Sequence, residues 1–441
     1  MRKSFIAMVL MLAVAAGTLV SCGKDKETKY NAKEQKVKLD QVGEQFINEL
    51  DLKNWKSTID IVAPAIELLD TANTKAIRLS IEAEDTTFNA VKSQRTITYT
   101  LSFAGIKGHF DIDDKAVAKP VEGEFDDFQI AFDAQGHSYK GVVKITDSKN
   151  SVLVRNDSEK TDYYYDENHN RVNVPDSIVL CEQAYLVLPE KFVVDFTADN
   201  AKPFSIEAKL DYSGPNDLTV EPDFNEFTVG VNAVVKAGDY SLNLSQLSYK
   251  NRNFSEKFSF KRGSKNLLSI NSSATELYYS DENTGIEDGI NCKKASLSID
   301  VLGQVQAKGS VNYDGLLPAY KAVPEKMADM NDANAWLKTL KPFYDLGIYY
   351  NGSESKQAYV ELEAVEMSRI DEESGEEIKG GYEILPVIKF NDGTKTVATE
   401  FFTPDNFTKT MKAYENLMMK VMSYFQEIGL IEAPEDEEVL K

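Results

Sequence analysis

Two segments place oxygen ligands at alternate positions, as a hard cation requires. In Tyr163-Tyr164-Tyr165-Asp166-Glu167-Asn168, continued by His169-Asn170, the side chains of Asp166, Asn168 and Asn170 alternate. In Tyr278-Tyr279-Ser280-Asp281-Glu282-Asn283, Asp281 and Asn283 do the same ahead of Gly285. Calcium loops open this way, but they also need a glycine at the tight turn and a closing bidentate glutamate. Arg171 stands at the first of those places, and Ser177 and Cys292 at the second. A β-turn with solvated carboxylates explains the segments better than a calcium site, so no metal ligand is assigned.

The same two stretches carry Cys181 and Cys292 at corresponding places. Outside the cytosol they could pair, while two free thiols in separate repeats account for them equally well. Ser353-Glu354-Ser355-Lys356 has the Ser-x-x-Lys spacing and resembles the nucleophile motif of penicillin-recognising enzymes. The motif needs a helix, whereas Gly352 and the following alternation predict a turn, and the family's Ser-Asp-Asn and Lys-Thr-Gly partners are absent. His109, His137 and His169 are scattered, and no carboxylate pair stands out among the 71 acidic residues. Trp55 and Trp336 fall in helical stripes and read as core, leaving Tyr163 to Tyr165 as the aromatic surface open to a sugar. No catalytic residue and no cofactor is assigned.

The N-terminus carries a clearer signal. Arg2 and Lys3 precede a charge-free apolar run from Phe5 to Val20, too short to span a bilayer comfortably. The run closes on Leu19-Val20-Ser21-Cys22, which resembles the lipobox of bacterial lipoproteins. The resemblance implies cleavage before Cys22, lipidation of that cysteine and anchorage to a membrane. Gly23 in place of the aspartate associated with inner-membrane retention implies the outer membrane. Loss of the leader would leave 420 residues, with 47 basic against 71 acidic and a net charge of −24. At −22 for the whole chain, the surface repels phosphate backbones, so nucleic acid is an unsuitable partner.

With 42% apolar and 27% charged residues, the chain can bury a core. Residues 1–21 read as signal peptide and 22–36 as a lipidated, locally basic tether. Apolar residues at helical spacing predict two helices within 37–75, broken near Asp51 to Asn54 and kinked or restarted at Pro64. From residue 76 the period becomes two: Ile97, Tyr99, Leu101 and Phe103, and Ile206, Ala208, Leu210 and Tyr212, each alternate with polar neighbours. Further alternation lies over 227–233, 297–301 and 360–364.

Ordered echoes between 148–186 and 264–297 predict a duplicated β-meander, with units at 76–195 and 202–303. The segment 304–402 reads as mixed, with a helical insertion over Pro324 to Asp345 and a degenerate third β unit. Residues 403–429 predict a helix capped by Thr403, with Pro404 at its first position and a packed stripe that includes Met411, Met418, Met419 and Met422. The acidic tail, 430–441, ends the chain.

These features predict an α+β fold in which antiparallel, curved sheets are covered by N-terminal and C-terminal helices. Lipobox and β-rich acidic body together resemble the large cell-envelope lipoproteins of Bacteroidota. The resemblance implies a membrane-attached, non-enzymatic binding or structural protein. A carrier of an apolar small molecule or lipid, and a glycan-acting hydrolase, are the alternatives.

Overall fold

In a computed structural model the described residues are 30–71, 83–89, 94–113, 115–165, 170–199, 201–219, 225–280, 289–323, 329–370 and 377–427. Cys22, the leader, most of the tether and the acidic tail lie outside them, as do Asp166, Asn168, His169, Asp281, Asn283 and Gly285. Among the described residues, eighteen strands belong to one mixed, mostly antiparallel hydrogen-bonded sheet, with helices at both ends of the chain. No described helix is long and apolar enough to cross a membrane. The chain divides into an inserted unit, Ser57–Gly238 with Asn243–Arg252, and a terminal unit, Met1–Lys56 with Asp239–Leu242 and Asn253–Lys441.

In the inserted unit, helix α2 (Lys56–Thr71) covers part of a sheet built from β1 (Ala83–Asn89), β2 (Gln94–Ser102), β3 (Gly108–Ile112), β4 (Ala118–Pro120) and β5 (Phe128–Ala134), then β6 (His137–Tyr165), β7 (Arg171–Ala198), β8 (Ala201–Ser213) and β9 (Thr228–Ala237). From β5 to β9 each strand pairs antiparallel with the next. The alternation read in the sequence sets the register, with Ile206 opposite Val235, Ala208 opposite Ala233 and Leu210 opposite Val231. Two pairs, β2 with β7 and β3 with β5, are parallel, where only antiparallel sheets were expected. β2 also stops at Ser102. That hydroxyl accepts from the Ala104 amide at 3.1 Å, turning Phe103 out of the strand into a 3-10 turn, where it is exposed. Ile61 and Ala65 of α2 close a core with Ile112, Phe132, Tyr139 and Ala198, and the Tyr139 hydroxyl donates to the Ile61 carbonyl at 2.8 Å. α2 runs through Pro64 with no new start.

In the terminal unit, α1 (Ala32–Glu49) begins five residues before the helical segment was expected to start, inside the expected tether. Asn31 explains the difference: its side chain accepts from the Glu34 amide at 2.9 Å, and Glu34 accepts back from the Asn31 amide at 3.0 Å, forming a reciprocal cap. The break expected near Asp51 is a 3-10 turn, Leu52–Asn54. β10 (Tyr240–Lys250), divided between the units, leads to β11 (Asn253–Arg262), β12 (Lys265–Thr275), the small hairpin β13 (Tyr278–Ser280) and β14 (Gly289–Asn291), β15 (Lys294–Val301) and β16 (Val305–Asn312). Helices α3 (Tyr313–Lys321) and α4 (Met330–Leu340) follow, so the helical insertion starts earlier than expected. The chain then forms β17 (Tyr344–Tyr350), β18 (Ala358–Ile370), β19 (Glu377–Phe390), β20 (Lys395–Val397), α5 (Ala398–Phe401) and α6 (Thr408–Glu427).

Leu39 and Val42 of α1 pack with Ile299, Ile348, Ile388 and Phe401 in the largest core. Against α1 lies α6, shorter than the helix expected over 403–429. The Thr403 hydroxyl does not cap it and instead accepts from the Asn406 side-chain Nδ2 at 2.9 Å. The cap comes from the far end of the chain: Asp40 accepts from the amides of Thr410 at 2.9 Å and Lys409 at 3.2 Å, and the Thr410 hydroxyl donates to the Asp40 carbonyl at 2.9 Å. The helices cross so closely that a Cβ on Gly43 would enter the Thr410 side chain.

Candidate functional site

Period-two alternation turns one residue in two of β12, β15 and β16 toward the same face. At the ends of these strands that face is polar. One cross-strand row is Thr275, Lys294 and Asn312; the next is Ser273, Ser296, Ser310 and Asp345. Above them Pro342 and Phe343 complete a groove of about 330 Å³ within the terminal unit. Gly315 of α3 lets the Phe343 ring sit against the helix backbone, since a Cβ there would overlap the ring. Ser273 and Ser296 share a hydrogen bond of 2.7 Å between their hydroxyls, and Asp345 is ion-paired with Lys356. The side-chain carbonyl oxygen of Asn312 is buried and has no hydrogen-bond partner among the described residues.

None of the residues singled out by motif lies in this groove. Tyr164 and Tyr165 end β6 opposite Val172 and Arg171, and Tyr279 and Ser280 end β13 opposite Ile290 and Gly289. Both Tyr-Tyr segments therefore stand at the ends of paired strands, and the proposed calcium ligands other than Asn170 lie outside the described residues. Among the described residues, no group of three or more His, Cys, Asp or Glu is arranged to hold a metal ion. The tyrosines are not bare platforms, because Arg171 lies 4.0 Å from the Tyr163 ring and Arg95 lies 3.9 Å from that of Tyr164.

Cys181 and Cys292 are free thiols. Cys181 is buried in β7 and accepts from the Gln94 amide at 2.9 Å, and burial pushes the Cys292 thiol up. Alkylating the unfolded chain without reductant is therefore expected to label Cys181 and Cys292, read by peptide mass spectrometry. An intact Cys181–Cys292 cross-link would contradict the assignment.

Ser353 sits in a turn, its amide bonded to the Tyr350 carbonyl at 2.9 Å, and Lys356 is committed to Asp345, so the Ser-x-x-Lys pair is no nucleophile site. His109 Nε2 lies 2.6 Å from Asp127, with the imidazole stacked on Phe125 at 3.6 Å between ring centres. His137 Nδ1 lies 2.9 Å from Asp199, whose carboxyl is held low first by that bond and then by the Ser138 amide. Trp336 is buried beside Leu337 and Leu340, as expected. The methionine stripe is a correction: Met418, Met419 and Met422 are 39, 60 and 47% exposed, because α6 packs through Thr410 and Tyr424.

A carboxylate pair that the sequence did not reveal lies on β18. Glu361 and Glu363 both contact Lys389 at 2.6 Å; Lys341 reaches Glu361, and Lys395 reaches Glu363 at 2.6 Å. Desolvation works against ionisation of both acids, but the lysine hydrogen bonds outweigh it and hold both below the usual glutamate range. Lys389 is desolvated too, and its two glutamate partners push its pKa up. With depressed folded-state values, the glutamates contribute stability that is present above the unfolded glutamate pKa of about 4.3 and lost as pH falls through the lower folded values. The melting temperature is expected to fall on acidification through that window, and to fall less in Glu363→Gln, as read by circular dichroism. Equal losses in the two proteins would show that the cluster does not carry the effect.

No protein-family model matches this chain, and no curated protein matches it. A solved structure to which it is similar is that of a porin-like protein from Bacteroides vulgatus, with 8% identity over 52% of this chain and 86% of that one. The TM-score is 0.16, too low to carry an argument about fold or function.

Proposed function

We propose that this chain is a lipid-anchored cell-envelope protein, held at the outer membrane through Cys22, whose body binds a ligand at the β12–β17 groove without converting it. One observation carries the binding role: a groove of about 330 Å³ within the terminal unit, whose lining includes Ser273, Thr275, Ser296 and Ser310 beside Phe343 and Tyr344. Binding is favoured over hydrolysis because a glycan hydrolase needs a carboxylic acid that stays protonated near neutral pH. Glu361 and Glu363 are instead held ionised by lysines.

The anchor is tested by expressing the full chain in a bacterium with a lipoprotein pathway and weighing its N-terminal peptide. The expected peptide begins at Cys22 and carries acyl chains. A peptide beginning at Met1, or an unmodified Cys22, would overturn the anchor. Two or three acyl chains, at about 0.8 kcal/mol per buried CH₂, make such attachment stable where a single chain would be only marginal.

A further inference from the structure

We propose that the exposed flank of α6 lies in the headgroup layer of the bilayer to which Cys22 is anchored, so that the terminal unit meets the membrane at a second place; this rests on reading Cys22 as the lipid anchor. Met411, Tyr414, Met418, Met422 and Phe425 recur at intervals of three or four residues, with Met419 beside them. A stripe with this spacing is ordinarily the buried face of a helix. Here α6 packs through Thr410 and Tyr424 instead, and Tyr414, at 46% exposure, joins Met418, Met419 and Met422 in the open. Single apolar residues on a surface need no explanation, but four on one helix flank mark a contact.

Chain length and charge identify a lipid surface as the occupant. Tyr30 follows Cys22 by eight residues, so even fully extended the tether spans only about 26–29 Å. It ends beside the start of α6, because Lys36 of α1 donates to the Asn406 side chain at 2.9 Å. Farther along, Lys420 meets Asp51 at 2.8 Å, so α1 and α6 run side by side in the same direction. Met411 lies about 5 Å along α6 from Thr408, and Phe425 about 21 Å beyond Met411. A lipid on Cys22 therefore holds the whole stripe within a tether's length of the bilayer. From Gly23 to Lys36 five lysines outnumber three acids in a chain of net charge −22, so anionic headgroups attract this end and repel the remainder. The stripe suits the headgroup layer and not the hydrocarbon: Tyr414 carries a hydroxyl, Glu415 stands among the methionines, and the exposed Lys409 and Lys412 have stems long enough to reach phosphates. Flexible methionine side chains fill the irregular boundary between headgroups and acyl chains.

The test reconstitutes the full chain, as a bacterium with a lipoprotein pathway makes it, into mixed vesicles of phosphatidylethanolamine and phosphatidylglycerol. Hydrogen peroxide then converts accessible methionines to sulfoxides, and peptide mass spectrometry reads the rate at each. Met330, exposed at the start of α4, is the internal reference. Met418, Met419 and Met422 are each at least as exposed as Met330, yet are expected to oxidise about fivefold more slowly on the vesicles. Met418→Glu puts a charge into the stripe at a side chain the core does not use, and is expected to return Met419 and Met422 to about the Met330 rate, with circular dichroism confirming the fold. Oxidation of the three native methionines at the Met330 rate overturns the proposal, as does protection that Met418→Glu leaves intact. Protection that fades as the protein is diluted into excess lipid assigns the flank to a second copy of the chain and overturns it too. The same digest yields the N-terminal peptide. An acylated Cys22 with unprotected methionines overturns the docking alone, and protected methionines with an unacylated N-terminus overturn the anchor alone, so the two readings fail separately.

Discussion

Phe401→Ala is expected to destabilise the terminal unit by about 3–5 kcal/mol, the usual cost of removing a fully buried phenylalanine. The Phe401 side chain is 0% exposed. It meets Phe390, Phe402 and Phe407 with ring centres 5.5, 5.0 and 6.1 Å away, the contact with Phe402 being edge-to-face. Truncation removes the ring's own transfer energy, leaves a cavity among aromatic groups that cannot collapse into it, and strips three favourable ring contacts. Phe401→Leu should recover more than half of the loss. Urea unfolding followed by far-ultraviolet circular dichroism measures both, and a loss below about 1 kcal/mol for the alanine variant would mean that the cluster is repacked at little cost.

Asp40→Ala is expected to cost about 2–4 kcal/mol. Two amides of the first turn of α6, those of Lys409 and Thr410, lose their acceptor, and the Thr410 amide bond is buried. An unsatisfied buried donor costs about 1–3 kcal/mol and a lost helix cap about 1 kcal/mol. Asp40→Asn keeps one oxygen and should lose about 1 kcal/mol, mostly the attraction between the carboxylate and the positive end of the helix. The contrast between the two variants is the measurement: equal losses would assign the effect to packing against Gly43 and Thr410 and not to the cap. A double-mutant cycle with Thr410→Ala then reads the coupling between the helices directly.

The strands with one wet and one dry face were legible because alternation survives wherever the ladder is regular. β8 and β9 are examples, paired without a shift over ten positions from Phe204 to Ser213. The long strands β6 and β7 were not. Register shifts at Thr146/Asp147, Leu153/Arg155 and Thr161/Tyr163 move the apolar residues from one parity to the other, which erases a period of two. The parallel pairing of β2 with β7 joins residues 85 apart in sequence at Thr96 and Cys181, a relation that no local pattern records. Pro64 was read as an interruption because a mid-helix proline removes a backbone donor, yet α2 is assigned as one helix across it.

The groove was invisible for a different reason. Its serines and threonines lie on the polar parity of ordinary amphipathic strands, and no local pattern signals that Pro342 and Phe343 line that parity at one end. A usable hint is Asn312, a residue type suited to cap α3 whose side chain makes no capping hydrogen bond. The Asp40 cap has no local signature, because its partners lie 369 and 370 residues away.

That separation orders events during synthesis. Most of the inserted unit lies between α1 and the rest of the terminal unit in the chain, so its strands leave the ribosome complete while α1 still lacks its partner. At about 5–20 residues per second, the 370 residues from Asp40 to Thr410 take roughly 20–70 s to make. For most of that interval, until β15 to β19 emerge, Leu39 and Val42 lack the core that they enter. An amphipathic helix left waiting this long is a natural client for a holding chaperone, and the terminal unit can close only after the last helix emerges.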